Sequence, residues 1–196
     1  MDIGIDELKT RIERALADRP PRVVEDDGLV PAAVLLLVTA HPLPHVVFVK
    51  RSERVAHHRG QISFPGGIVE TWDASRLETA LRECEEEIGL PADRVEVLGT
   101  LDDTETRATQ FVITPFVGLV HGPVAWKPDG REVEQVLELP LSGLLDPENF
   151  RVEVWERGGE LTPVYFYEHQ GTVIWGATAR ILKQFLDLVF PELSRR

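Results

Sequence analysis

The sequence is short of several things at once, and each shortage removes a class of protein. It has one cysteine, Cys84, which excludes an intramolecular disulfide or a cysteine-rich zinc site and fits a reducing compartment. Long apolar runs are missing: the longest, Ala32 to Val38, falls far below the ~20 residues that cross a bilayer as a helix. Met1 to Ala17 carries Asp2, Asp6, Glu7 and Glu13 where a secretory leader has a basic start and an apolar core. The final Leu193, Ser194, Arg195 and Arg196 do not form a peroxisomal address. A cytoplasmic protein with no membrane partner is the expectation. Positive charge is scarce as well, with 21 Lys plus Arg against 33 Asp plus Glu and a formal net charge of −12. Nucleic acid is therefore not an expected partner, because phosphate backbones are held by clustered basic residues. An acidic chain can still bind a phosphorylated small molecule if divalent cations stand between carboxylates and phosphates. The GX4GK[ST], HEXXH and GXSXG patterns are all absent.

What is present is an ordinary globular composition, 43% hydrophobic and 28% charged in 196 residues, suited to one domain spanning 1–196. Ile5, Leu8, Ile12 and Leu16 recur at helical spacing before Pro20 and Pro21, predicting an N-terminal helix within 1–20. Strands are predicted over Ala32–Thr39, Val46–Lys50, Val95–Leu101, Phe111–Val120, Val133–Leu139 and Thr172–Trp175. Helices are predicted from Ser75 to Ile88 and from Ala177 to Phe190. This mixture points to an α/β or α+β layered fold.

The chemistry is concentrated in Gly66 to Leu90, GGIVETWDASRLETALRECEEEIGL. Ser75 followed by Glu78 makes a capping box, and Gly89 makes a helix stop. At about 100° per residue, Leu77, Ala80, Leu81, Cys84 and Ile88 form an apolar stripe, while Glu83, Glu86 and Glu87 gather on another face. A glutamate run is ordinarily a solvated helix face. Here Glu83 and Glu87 repel each other at i,i+4, and Glu85 to Glu87 sit at the helix end whose dipole disfavours negative charge. A hard cation such as Mg²⁺ or Mn²⁺ would reverse that repulsion, and Arg82 beside the carboxylates would orient them through paired hydrogen bonds.

Arg82 to Leu90, RECEEEIGL, resembles the REUXEEXGU half of the Nudix box, the motif of hydrolases that cleave nucleoside diphosphates linked to another group. The GX5E half begins at Gly67 and reaches Asp73, an aspartate in place of glutamate, with one extra residue before Arg82. That departure, together with Arg51 and Ser52, then His58, Gly60 and GQISFPGG up to Gly67, resembles the coenzyme A pyrophosphatase branch. Pro140 to Asn149 (PLSGLLDPEN) and Ile174 to Leu182 (IWGATARIL) resemble it too.

The resemblance implies an α/β/α sandwich with a mixed central sheet and a loop–helix–loop motif. It implies Glu83 and Glu87 as ligands of Mg²⁺ or Mn²⁺, with Glu86 ligating a further metal or activating water, and Arg82 fixing their geometry. Candidate bases are Glu86, Glu134, Glu105 and Glu70. Gly66 and Gly67 would let the backbone approach the substrate, and Arg51, Arg54 and Arg59 would contact phosphates, against the plainer reading of surface arginines. The implied reaction is hydrolysis of coenzyme A or a derivative to adenosine 3′,5′-bisphosphate and 4′-phosphopantetheine. Cleavage of ADP-ribose, NADH or another nucleoside diphosphate derivative is the alternative, and a silent nucleotide-binding module is a third. Core packing is the expected role of most of Phe64, Trp72, Trp126 and Trp175, adenine stacking the alternative. A homodimer through the helix from Ala177 stays open, since burial within the monomer explains the same pattern.

Overall fold

A strand of almost unbroken valine, leucine and alanine needs cover on both faces, and the middle of a layered sheet supplies it. In the computed structural model, which describes residues 3–17, 19–26, 28–40, 43–53, 60–106, 109–157 and 159–193, Val30–Ala40 (β1) occupies that place. It runs parallel to Phe111–Val120 (β7), from Val30↔Phe111 to Thr39↔Val120. On its other side it pairs antiparallel with Pro44–Arg51 (β2), from Val38↔Val46 to Ala40↔Pro44. Val95–Thr100 (β5) and Thr104–Thr106 (β6) extend the sheet beyond β7, and Val133–Pro140 (β8) pairs with β2.

Alternate residues of β1 serve two cores. Ala33, Leu35 and Leu37 pack with Ala80, Cys84 and Ile88 of Arg76–Ile88 (α2). Leu36 and Val38 join Leu8, Ile12 and Leu16 of Ile5–Ala17 (α1) and Ile181, Leu182 and Phe185 of Gly176–Val189 (α4). The expected mixed sheet between helices is thus present. The apolar face of α4 is covered within the chain. Among the described residues no helix is long and apolar enough to cross a membrane.

The large sheet splits between β1 and β2. Ile62–Ser63 (β3) pairs with the end of β2, and Gly66–Ile68 (β4) pairs with the start of β1 through Ala33↔Gly67 and Val34↔Gly66. Phe64 between them stacks on Phe48 at 5.0 Å between ring centroids. The glycine stretch therefore fills the split directly under α2.

Two expectations need correction. No strand is predicted over 150–169, yet Phe150–Arg157 (β9) and Glu160–His169 (β10) form a second antiparallel sheet with Thr172–Trp175 (β11). Phe150, Val152 and Val154 do alternate with charged residues there, but Pro163 inside β10 lowers the strand signal of its partner. Phe150, Tyr167 and Ile174 from one face of this sheet pack into the core that holds α4. The PLSGLLDPEN stretch, which includes Leu141–Leu144 (α3), ties the two sheets together: Asn149 Nδ2 donates to Gly143 O at 2.8 Å and lies 3.3 Å from His169 Nδ1. The second correction concerns α2, whose Leu77 and Leu81 are only half-buried while Thr79 and Glu87 are buried.

One polar hub stitches the chain's beginning to this frame. The buried Asp103 carboxylate accepts from Val24 N–H at 3.0 Å, Thr114 Oγ1 at 2.6 Å and Arg76 Nη1 at 3.1 Å. Replacing it with alanine removes the acceptor of a half-buried main-chain N–H, of the Thr114 hydroxyl and of the Arg76 guanidinium. Asp103→Ala is expected to cost about 2–4 kcal/mol in urea denaturation, and a loss below about 0.5 kcal/mol would show the hub to be ornamental.

Candidate active site

The helix that carries the acidic run is fixed at both ends. Ser75 Oγ accepts Glu78 N–H at 3.1 Å, and the Glu78 carboxylate reaches back to Ala74 N–H at 2.6 Å. At the other end Gly89, with φ of 68°, donates to Glu85 O, while Asp129 N–H donates to Glu87 O and Lys127 N–H to Ile88 O, both at 3.0 Å.

Arg82 organises the middle. Its Nε and Nη2 hold the two oxygens of Asp73 at 2.9 and 3.0 Å, Nη1 reaches Glu83 Oε1 at 2.8 Å and Glu86 Oε2 at 3.2 Å, and Nη2 also lies 3.4 Å from Ile68 O. Asp73 further accepts Thr79 Oγ1 at 2.7 Å and Glu70 N–H at 3.0 Å. Hydrogen bonding by Arg82 above all holds this carboxyl well below its usual range. An aspartate suffices here because the turn closed by Asp73 N–H on Glu70 O at 3.1 Å carries it under the helix.

The three predicted metal glutamates differ sharply in surroundings. Glu86 is 60% exposed in its side chain and Glu83 18%. Glu87 is 5% exposed: Gly66 N–H donates to its Oε2 at 3.0 Å, and Arg51 Nη1 stands 3.9 Å from its Oε1. Burial pushes the Glu87 carboxyl up to about 8, the Gly66 hydrogen bond opposing and the nearby Glu83 charge adding to the rise. Burial also raises Glu83, against the hydrogen bond from Arg82. Gly66 is required by space, and a side chain at Gly67 would force the Glu83 carboxylate to move. A Cβ on Gly66, whose φ is 149°, would collide with the Ala33 carbonyl and Val34 backbone, and one on Gly67 would collide with the Glu83 carboxylate.

Other expectations are rearranged. Glu134 is not gathered into this group: it is half-exposed and pairs with Lys50 at 3.4 Å. The carboxylate from that part of the chain whose charge bears on Glu83 and Glu87 is Glu132, which pairs with Arg51 Nη2 at 3.3 Å. Nothing in its local pattern distinguishes Glu132 from Glu134, because a register shift at Lys50/Arg51 decides which one faces Arg51. Glu105 lies on β6, separated from β4 by β7 and β1, with Arg22 3.9 Å away. Glu70 opens the Asp73 turn. Arg54, His57, His58 and Arg59 lie outside the described residues. Phe64 is core, whereas Trp72, 70% exposed, is not among the packed ones. Trp126 donates to Glu138 at 3.0 Å, and Trp175 joins Trp155 and Phe166 in an aromatic cluster on the second sheet. Cys84 is buried, as its stripe position predicts.

Among the described residues no three His, Cys, Asp or Glu side chains already converge as a metal cluster. The residues nonetheless suit a hard divalent cation. Glu83 and Glu87 offer only oxygen donors, and burial raises both carboxyls, a cost that a nearby cation would offset.

The site is a loop–helix–loop in which a carboxylate helix, tied by an arginine, sits on a glycine strand in a split mixed sheet. The NUDIX domain model matches residues 29–172, and the chain belongs to the Nudix family, whose hydrolases generally use divalent metal ions. It is 34% identical over 187 residues, 95% of this chain and 98% of the other, to an uncharacterised Nudix hydrolase, NudL, of Photorhabdus laumondii. It is 37% identical over 158 residues, 81% and 80% of the two chains, to the NudL of Yersinia enterocolitica. A MutT/nudix family protein from Enterococcus faecalis shares the fold, with a TM-score of 0.51 and 16% identity over 96% of this chain and 76% of that one.

The raised Glu87 carboxyl has a consequence for stability. The folded chain holds this proton more tightly than the unfolded chain, so its contribution is complete below the unfolded carboxyl range and is lost as pH rises through about 8. In chelator, urea denaturation is expected to show wild-type stability falling between pH ~5 and ~8 relative to Glu87→Gln. Parallel pH profiles for the two proteins would contradict the burial of an ionisable Glu87.

Proposed function

We propose that the protein hydrolyses the diphosphate linkage of coenzyme A or a derivative, releasing adenosine 3′,5′-bisphosphate and 4′-phosphopantetheine. One observation carries this reading. The stretch from Arg51 to Gly67, which resembles the coenzyme A branch, meets the box helix at both of its ends: Arg51 Nη1 lies 3.9 Å from one oxygen of Glu87, and Gly66 N–H bonds the other at 3.0 Å. The residues that suggest the substrate thus adjoin the residues that suggest the chemistry.

In this reading Glu83 and Glu87 hold Mg²⁺ or Mn²⁺, and Arg82, locked by Asp73, sets the direction of the Glu83 carboxylate. A bound cation supplies neutralisation of the phosphoryl oxygens and a more acidic water. Gly66 and Gly67, without side chains, let the diphosphate come close to the strand, and Arg51 takes up phosphate charge. Water oxygen bonds to one phosphorus, the bridging P–O bond breaks with its electron pair leaving on the departing phosphate, and the water's proton passes to the exposed Glu86. Glu86 is preferred over Glu134 and Glu105 because Arg82 ties it to the same cluster as Glu83.

The purified protein should be incubated with coenzyme A, ADP-ribose and NADH, each with Mg²⁺, Mn²⁺ or chelator, and the products identified by mass spectrometry. Metal-dependent release of adenosine 3′,5′-bisphosphate faster than turnover of the other two is expected. Glu83→Gln and Glu87→Gln should each lose about 10²-fold or more in kcat, on the order of 3 kcal/mol, while remaining folded. Turnover of ADP-ribose or NADH alone would overturn the substrate, near-normal turnover in both variants would overturn the metal assignment, and silence on all three would leave a binding module.

A further inference from the structure

Glu132, a glutamate outside the box, is placed beside it by main-chain geometry. Asp129 N–H bonds the carbonyl of Glu87 at 3.0 Å. The Asp129 carboxylate then accepts the N–H groups of Glu132, at 3.1 and 3.2 Å, and of Val133, at 2.8 Å, closing a tight turn. Ser52 N–H, just past β2, binds Glu132 O at 2.8 Å. The backbone of Glu132 is therefore fastened to the last turn of α2 on one side and to the chain leaving β2 on the other.

From this position its carboxylate takes Arg51 Nη2 at 3.3 Å, while Nη1 of the same guanidinium stands 3.9 Å from Glu87 Oε1. Arg51 Nε is buried and has no hydrogen-bond partner among the described residues. Among the described residues Nη2 is thus engaged by Glu132, Nη1 has only a long contact with Glu87, and the buried Nε has none. An arginine nitrogen with no close acceptor is suited to an oxygen of phosphate. A long, flexible side chain left without Glu132 would keep several rotamers and lose that preparation.

We infer that Glu132 is a positioning residue for the substrate, holding the Arg51 guanidinium beside Glu87 so that Nη1, which makes only the long contact there, can meet a diphosphate oxygen. The inference rests on the diphosphatase reading above. Glu132 acts through Arg51, so its removal weakens substrate capture more than the chemical step.

The test is a double-mutant cycle on Glu132→Gln and Arg51→Ala, read in kinetics on coenzyme A and in calorimetric binding of adenosine 3′,5′-bisphosphate with Mn²⁺ present. Glu132→Gln is expected to raise KM and weaken product binding about 5- to 10-fold with kcat held within about 3-fold, and to add nothing on the Arg51→Ala background. Glu132→Asp should recover part of the loss, and Mn²⁺ affinity measured without nucleotide should stay within about 3-fold. A fall in kcat of about 100-fold at constant KM would make Glu132 part of the chemistry. A drop of more than about 10-fold in Mn²⁺ affinity would make it a ligand. Additive losses, or no loss, would show that it does not work through Arg51. If wild-type protein fails on coenzyme A but cleaves ADP-ribose, the proposed substrate falls and the cycle is read on ADP-ribose instead.

Discussion

The burial of one carboxylate, Glu87, is the constraint around which the site is arranged. A glutamate in the last turn of a helix ordinarily faces water, where its charge is cheap. Here α2 packs Ala80, Cys84 and Ile88 against β1, and that packing turns Glu87 inward as well. The sheet answers with a split between β1 and β2 through which Gly66 presents an N–H to the carboxylate. The glycine has no alternative, since its strand lies too close to β1 for any Cβ. What remains is a carboxylate with little positive charge nearby for its burial, which pushes its carboxyl up.

Around this point the charged groups are graded by position along α2. Arg82 is committed first to the almost fully buried Asp73, and through that pair the turn 70–73, the helix and the end of β4 become one rigid piece. The remaining nitrogen of Arg82 orients Glu83 and touches Glu86, so the carboxylate nearest the glycine strand is ordered and the outermost one stays hydrated. The aspartate that departs from the general box pattern is therefore a structural anchor for the arginine. Its shorter side chain is compensated by the turn that carries it under the helix.

The second sheet bears on the site indirectly. Its inner face covers α4, and the contact of His169 with Asn149 and Gly143 fastens it to the end of β8. PLSGLLDPEN therefore acts in this chain as a hinge-pin between sheets rather than as a lining of the acidic site. Its outer face collects Trp155, Phe166 and Trp175, with the Arg151 guanidinium 4.0 Å above the Phe166 ring.

Local sequence determined the elements whose signals are local. The capping box at Ser75, the glycine stop at Gly89 and the apolar run of β1 are each decided within one or two turns or a few strand residues, and the structure places them as read. The unequal surroundings of Glu83, Glu86 and Glu87 were not legible, because i,i+4 spacing puts residues on a face without saying what that face meets. Nor was the exchange of Glu134 for Glu132, which depends on a register shift between β2 and β8. Strands β9 and β10 escaped because a proline and alternating charges weaken a signal that only packing on α4 makes decisive. That a carboxylate-bearing helix follows a glycine loop is legible in residues 66–90 alone. The tertiary structure alone decided which carboxylate is buried and which arginine stands beside it, since burial and charge pairing are relations between distant segments.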